Sequence, residues 1–209
     1  MIRLALPKGR NLDAALAAFG AAGIPLAVPG LSSRSLLTRN PALGVELLSL
    51  KDWDLPLYVS RGIADCGIVG SDVLEEVDGD LLVLLRLREG GCRLSLIGRS
   101  PEAVPAPGGQ ARLATKYPNL ARRFVAAQPW GAEIVELSGS IELAPLLGLA
   151  ELALDIVQTG RTLAENGLVE IATVEEIAPC FVVNRASYQR YRGRLNDWIS
   201  RLEAAKVAA

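Results

Sequence analysis

Short apolar runs alternate with amphipathic stretches along the whole chain. Ile2–Leu6 predicts a strand, and after Pro7-Lys8-Gly9 a helix is expected over 12–22. Val45–Leu50 predicts a second strand, followed by a helix at Leu55–Arg61 with Pro56 in its first turn, where a missing amide costs nothing. Cys66–Val69 and Leu81–Leu87 are nearly all-apolar strand candidates around a helical stretch, Asp72–Glu76. Gly90-Gly91 breaks the series. Beyond it come a strand at Arg93–Ile97, a Pro/Gly-rich surface loop over 101–109 and a strand at Arg112–Thr115. A helix at Leu120–Ala127, a strand at Glu133–Leu137, a helix at Ile141–Leu147 and a strand at Leu154–Val157 continue the alternation. A short helical piece at Leu163–Asn166 and a last strand at Phe181–Asn184 complete it. The tail sets Tyr188, Tyr191, Leu195, Trp198, Ile199 and Leu202 on one helical stripe, which reads as core packing or a subunit contact. This alternation implies an α/β fold with largely parallel, buried strands.

Composition narrows the chemistry. Half of the 209 residues are hydrophobic and the formal charge is −1, so neither a basic nucleic-acid surface nor a disordered charged chain is expected. There is no histidine, which removes imidazole bases, Ser-His-Asp and Cys-His nucleophiles and His-Glu-x-x-His zinc sites. Cys66, Cys92 and Cys180 form no Cys-x-x-Cys pair and read as small buried hydrophobes in a reducing compartment. The N-terminus lacks a signal-peptide core, and Glu142, Pro145, Glu151 and Asp155 interrupt the most apolar region, so a soluble cytoplasmic protein without a membrane span is expected. Carboxylates, Lys/Arg, backbone amides or a metal must carry any reaction.

Three strand-to-helix turns could do so. Asp155-Ile-Val-Gln-Thr159-Gly160-Arg161-Thr162-Leu163 ends an apolar strand in a glycine turn that aims two hydroxyls and several amides at one point, an arrangement suited to phosphate. Asp155 at the strand end suits sugar hydroxyls. Pro7-Lys8-Gly9-Arg10 sets two cations around a glycine at the end of the first strand, suited to polyphosphate, with a solvated turn as the plain alternative. Gly67-Ile-Val-Gly70-Ser-Asp72 is a third such turn, with Asp72 a candidate N-cap. Ser140 is a candidate N-cap for the following helix, which puts Glu142 in its first turn. Arg34 and Lys51 are lone cations near strand and loop ends. Neither the P-loop nor the Gly-x-Gly-x-x-Gly pattern occurs.

Four stretches together resemble the short form of the ATP phosphoribosyltransferase family. They are Leu4-Ala-Leu-Pro-Lys-Gly-Arg10, Gly62-Ile-Ala-Asp-Cys-Gly-Ile-Val-Gly-Ser-Asp72, Ala114-Thr-Lys-Tyr-Pro-Asn119 and the run from Gly139 to Leu163. The last is the most specific, from Glu142 through Gly148 and Asp155 to Thr159-Gly160-Arg161-Thr162-Leu163. Departures fall outside the phosphate turn: Leu57, Ser60-Arg61, Ala153 and Arg185. The resemblance implies two α/β domains of periplasmic-binding-protein type II with the active site in a cleft between them, the first from 1–90 plus 179–209 and the second from 91–178. It also implies that N1 of the adenine of ATP joins C1 of phosphoribosyl pyrophosphate, with substrate-bound Mg²⁺, as the first step of histidine biosynthesis.

On that reading Glu142, Asp155, Thr159, Gly160, Arg161 and Thr162 hold phosphoribosyl pyrophosphate. Lys8, Gly9, Arg10, Gly70 and Asp72 serve ATP and its polyphosphate, and Arg34 and Lys51 act as the catalytic cations. No protein ligand for the metal is assigned. A regulatory subunit resembling histidyl-tRNA synthetase is the expected partner, since the long form's regulatory domain is not expected after the C-terminal helix. Two other classes stay open on the residues: a non-catalytic small-anion-binding domain of the same fold, and a phosphoribosyltransferase acting on another base.

Overall fold

Eleven strands and seven helices are traced in the computed structural model, which describes residues 1–26, 35–77, 79–87 and 91–208, apart from the side chains of Arg10, Val207 and Ala208. The order begins β1 (Ile2–Pro7), α1 (Arg10–Ala21), β2 (Leu37–Asn40), β3 (Val45–Leu50), α2 (Leu55–Ser60), β4 (Cys66–Gly70), α3 (Ser71–Val77) and β5 (Leu82–Arg86). It continues with β6 (Cys92–Gly98), a 3₁₀ turn at Pro101–Ala103, β7 (Gln110–Thr115), α4 (Pro118–Ala126), β8 (Gly131–Glu136), α5 (Leu143–Leu147) and β9 (Leu152–Val157). The chain then forms α6 (Arg161–Glu165), β10 (Val169–Ile177), β11 (Pro179–Val183) and α7 (Arg185–Ala208). These elements fall into two compact units, 1–90 with 178–209 and 91–177.

In the first unit six strands lie in the order β2-β3-β1-β4-β11-β5. β1 is paired in parallel with β3 and β4, whereas β2, β11 and β5 join antiparallel. Both faces are covered, as the apolar runs require. Ile2, Leu4 and Leu6 face one core with Phe19 of α1, Phe181 of β11 and Trp198 of α7. Phe19 meets both other rings edge-on at 5.9 Å. Ala5 faces the other way, onto Leu55 and Val59 of α2, Val73 of α3, and Cys180 and Val182 of β11. The tail stripe is therefore core: Leu195, Trp198 and Leu202 are buried, with Tyr188, Tyr191 and Ile199 packed beside them. Burial pushes the Cys180 thiol up to about 11 and the Cys66 thiol well above the usual range, so both behave as hydrophobes.

The second unit has five strands in the order β10-β6-β9-β7-β8. β7 pairs in parallel with β8 and β9, while β6 runs antiparallel to both β9 and β10. Both sheets are thus mixed, and the expectation of largely parallel strands holds for β3-β1-β4 in the first and β9-β7-β8 in the second. The antiparallel strands include β2 and β10, neither of which the apolar alternation predicts. Among the described residues no helix is long and apolar enough to cross a membrane.

Candidate active site

Parallel neighbours end together, so the loops after them gather at one sheet edge. In the second unit Thr115 of β7 lies in register with Glu136 of β8 and Leu154 of β9. The segments 137–142 and 158–162 therefore leave the same edge. Ile141 and Ala144 beside Glu142 share one buried cluster with Val157 and with Leu163 beside Thr162. Asp155 stands in register with Ser95, and cross-strand neighbours project to one face. That face also carries Ala153, Val157 and Ile97, all within the same cluster, so Asp155 rises on the side where α5 and α6 pack. The structure brings Glu142, Asp155 and 159–162 to one corner of one sheet.

The turn itself is built by Gly160, whose φ of 72° lies in the left-handed region that a side chain disfavours. It caps α6, and the Thr159 hydroxyl accepts from the Arg161 amide at 3.4 Å. The next amides, at the start of a helix, have no intrahelical acceptor. Thr162 is exposed, and its carbonyl accepts from Asn166 Nδ2 at 2.8 Å. Arg161 is exposed and pairs with Glu165 one turn on at 2.8 Å, so its charge is shared along α6.

The expectation that Ser140 caps a helix beginning at 141 is not met. α5 starts at Leu143 with Glu142 in the cap position, and Ser140 has a φ of 51°. Successive 3₁₀-type bonds, Leu143 N–H to Ser140 C=O at 3.2 Å and Ala144 N–H to Ile141 C=O at 3.1 Å, replace the side-chain cap.

In the first unit the carboxyl ends of β1, β3 and β4 likewise coincide, Pro7 being in register with Leu50. Lys8 and Gly9 after β1 and Lys51 after β3 are exposed there. Asn11 Nδ2 donates to Asp52 Oδ2 at 2.7 Å and ties the two turns together. Arg10 opens α1, and Arg34 lies outside the described residues. Gly70 passes straight into α3, which begins at Ser71, so Asp72 sits inside the first turn and is not the N-cap. The Asp72 carboxylate is buried over Gly70, where a Cβ would lie 2.1 Å from Oδ1. A side chain at position 70 would require that carboxylate to move.

None of the strand-to-helix turns that the sequence singles out contains Thr115. It is fully buried, its hydroxyl donates to the Leu154 carbonyl at 2.7 Å and accepts from the Tyr117 amide at 2.9 Å. It thereby pins β9 immediately before Asp155. A hydroxyl following the apolar Leu113-Ala114 pair, just ahead of Lys116-Tyr117-Pro118, is the signal that marks it.

Two α/β units, between which the chain passes twice, with loops gathered at the carboxyl ends of their parallel strands, define the class of periplasmic-binding-protein-like folds. The periplasmic aliphatic sulphonate binding protein SsuA from Escherichia coli matches with a TM-score of 0.64 at 11% identity, over 98% of this chain and 72% of that one. Membership is finer than fold. The profile of the HisG family, ATP phosphoribosyltransferase, matches residues 51–204. ATP phosphoribosyltransferases from Deinococcus deserti and Geobacter metallireducens are 44% and 40% identical over 201 and 205 residues. Those matches cover 96% and 97% of this chain, and 91% and 97% of the relatives. The ATP phosphoribosyl transferase (HisG:HisZ) complex from Thermotoga maritima matches with a TM-score of 0.81 at 31% identity, covering both chains completely. The chain belongs to the HisG family of ATP phosphoribosyltransferases.

Proposed function

We propose that the chain transfers the phosphoribosyl group of phosphoribosyl pyrophosphate to N1 of the adenine of ATP, with the sheet corner of the second unit holding the phosphoribosyl donor. The observation that carries this is the convergence of Glu142, Asp155 and 159–162 at the carboxyl ends of β7, β8 and β9. The amides that open α6 and the Thr159 and Thr162 hydroxyls suit the 5′-phosphate, and the two carboxylates suit ribose hydroxyls. Lys8, Gly9 and Arg10 serve the triphosphate of ATP, with Gly70 and Asp72 shaping the adjacent turn. Lys51 and Arg34 are assigned to the departing pyrophosphate. Neither a non-catalytic binding domain nor transfer to a different base has support in the family match.

The chemistry suits a chain without histidine. Adenine N1 already has a lone pair, so no base is needed to create the nucleophile. The C1–N1 bond forms as the bond from C1 to the pyrophosphate oxygen breaks, and pyrophosphate leaves with the electron pair. Two polyanions must approach and charge must grow on the leaving group, which fixed cations and substrate-borne Mg²⁺ offset. The product, phosphoribosyl-ATP, opens histidine biosynthesis, a cytoplasmic pathway on this reading. The HisG:HisZ complex of the Thermotoga relative supports a hetero-oligomer, and the partner on this reading is a regulatory subunit resembling histidyl-tRNA synthetase. Incubating the chain and such a subunit with ATP, phosphoribosyl pyrophosphate and Mg²⁺ tests the reading. Phosphoribosyl-ATP should accumulate with stoichiometric pyrophosphate, and its absence from the complete mixture would refute the assignment.

A further inference from the structure

β10 is a strand in which the usual period of two has become three. Its pairing with β6 slips between Glu170 and Ala172 and again between Thr173 and Glu175, so Ile171 and Val174 are each one residue too many. The consequence is a face shared by Glu170, Thr173 and Glu176 on β10 and by Ile97, Ser95 and Arg93, their partners on β6. In a regular strand residues three apart point to opposite sides. Here the Thr173 hydroxyl donates to Glu170 Oε1 at 3.1 Å, and the Ser95 hydroxyl donates to the same oxygen at 2.8 Å. Arg93 completes the arrangement with a two-point pair, Nε to Oε1 and Nη2 to Oε2 of Glu170. Both partners are mostly covered, with side-chain exposures of 28% and 22%. A carboxylate that accepts four hydrogen bonds on an antiparallel edge strand is more than solvation of a surface charge requires.

The remaining donor of Arg93 explains the investment. Its Nη1 donates to the Gln158 carbonyl at 3.2 Å, one residue before Thr159. Ser95 stands in register with Asp155, and Arg93 with Val157, on the same face of the sheet. The Arg93–Glu170–Ser95 group therefore borders the 155–162 segment along its whole approach to the glycine turn.

We propose that Arg93, locked in one rotamer by Glu170, is a positioning residue for the phosphoribosyl pyrophosphate segment, fixing through the Gln158 carbonyl where the Thr159–Thr162 turn begins. Arg93 touches no substrate in this role. It acts by holding the Gln158 carbonyl at the start of the turn, and misplacement of a binding loop by about 1 Å is enough to weaken a multi-point phosphate contact. The carboxylate of Glu170 stays ionised throughout the working range, because the hydrogen bonds from Arg93 hold it at about 2. The inference rests on the assignment of that segment to phosphoribosyl pyrophosphate.

Steady-state kinetics on the complete enzyme, with each substrate varied separately, tests it. Arg93→Gln and the isosteric Glu170→Gln should each raise KM for phosphoribosyl pyrophosphate about tenfold, the scale of one or two lost charge-assisted hydrogen bonds. KM for ATP should stay within about twofold. The double variant should be no worse than the worse single one, since each substitution already releases the same brace. Arg93→Lys, which keeps the charge but loses the two-point fork, should fall between parent and Arg93→Gln. An unchanged KM for phosphoribosyl pyrophosphate in both single variants overturns the brace. So does an equal rise in both KM values alongside a lowered melting temperature, which is what a merely structural pair would give. Thr162→Val separates this failure from failure of the site assignment. If Thr162→Val weakens phosphoribosyl pyrophosphate and the Arg93 and Glu170 variants do not, the brace alone is wrong. If Thr162→Val has no effect, the segment is not the phosphoribosyl pyrophosphate site and the brace falls with it.

Discussion

Replacing Thr115 with valine keeps the shape of the side chain and deletes one oxygen from a fully buried position. That oxygen serves two backbone groups at once, the Leu154 carbonyl at 2.7 Å and the Tyr117 amide at 2.9 Å. Each loses this partner in a site with no exposure to water. A buried polar group deprived of its hydrogen bond costs about 1–3 kcal/mol, and the extra methyl returns about 1 kcal/mol. The net loss is about 3 kcal/mol. If the chain melts as a whole, that lowers the melting temperature by roughly 6–12 °C, and by about twice as much if the second unit melts by itself. Thr115→Ser is the matched control: it keeps both hydrogen bonds, sheds one methyl and should cost about 1 kcal/mol. Differential scanning calorimetry is the suitable assay, because a chain of two units need not melt in one step and the loss belongs to the second unit. If Thr115→Val proved as stable as Thr115→Ser, the hydroxyl would not be holding β9 to the turn after β7.

Thr162→Val should weaken phosphoribosyl pyrophosphate roughly ten- to hundredfold, the range of a hydrogen bond to a charged phosphate, and calorimetric titration with ATP alone should be nearly unchanged. Lys51→Met and Arg34→Gln should lower kcat by about 10²–10³ with little change in KM if these cations meet charge on departing pyrophosphate. A raised KM that fades at high salt would instead make them attractors of substrate. Acid should expose the Glu170 pair: its carboxyl is lowered from 4.5 to about 2 by the Arg93 hydrogen bonds, so its contribution is complete above pH 4.5 and lost as pH falls toward 2. That contribution is at most about 3 kcal/mol. Glu151, lowered to about 2 by Arg112, titrates in the same window. The readout is therefore the difference between parent and Glu170→Gln in urea unfolding from pH 5 to pH 2.5, which should shrink as the pH falls.

What could be read from the residues depended on whether local pattern and tertiary environment agreed. Val45–Leu50 is buried along nearly its whole length, and its apolar run predicted it to the residue. Turns built on glycine were equally legible, because the backbone conformation at Gly160 is written into the residue type. β10 was not. Its two bulges turn Glu170, Thr173 and Glu176 onto one face at a spacing of three, which resembles neither a strand nor a complete helical stripe. The antiparallel additions to each sheet were hidden for a different reason, since an apolar run says that a strand is buried but not in which direction its neighbour runs. Ser140 illustrates a third limit. Serine before a helical stretch is the ordinary N-cap signal, yet its φ of 51° and the 3₁₀ bonds after it depend on packing that no local window contains. The Arg93 brace spans 77 residues from Arg93 to Glu170, and nothing in either neighbourhood announces the other.

The position of β11 bears on how the molecule is made. This strand lies between β4 and β5, and until residues 179–183 have been synthesised those two strands have no common neighbour to join them. Trp198, which fills the core against Phe19 and Phe181, arrives later still. The second unit is one uninterrupted stretch, 91–177, and all of its strands are available while the first unit still lacks a piece of its sheet. On a ribosome delivering about 5–20 residues per second, the part of the chain translated second is thus the part able to fold first. The amino-terminal strands have α1, α2 and α3 to pack against in the meantime, but they wait through that synthesis for the part of their core that β11 and α7 supply.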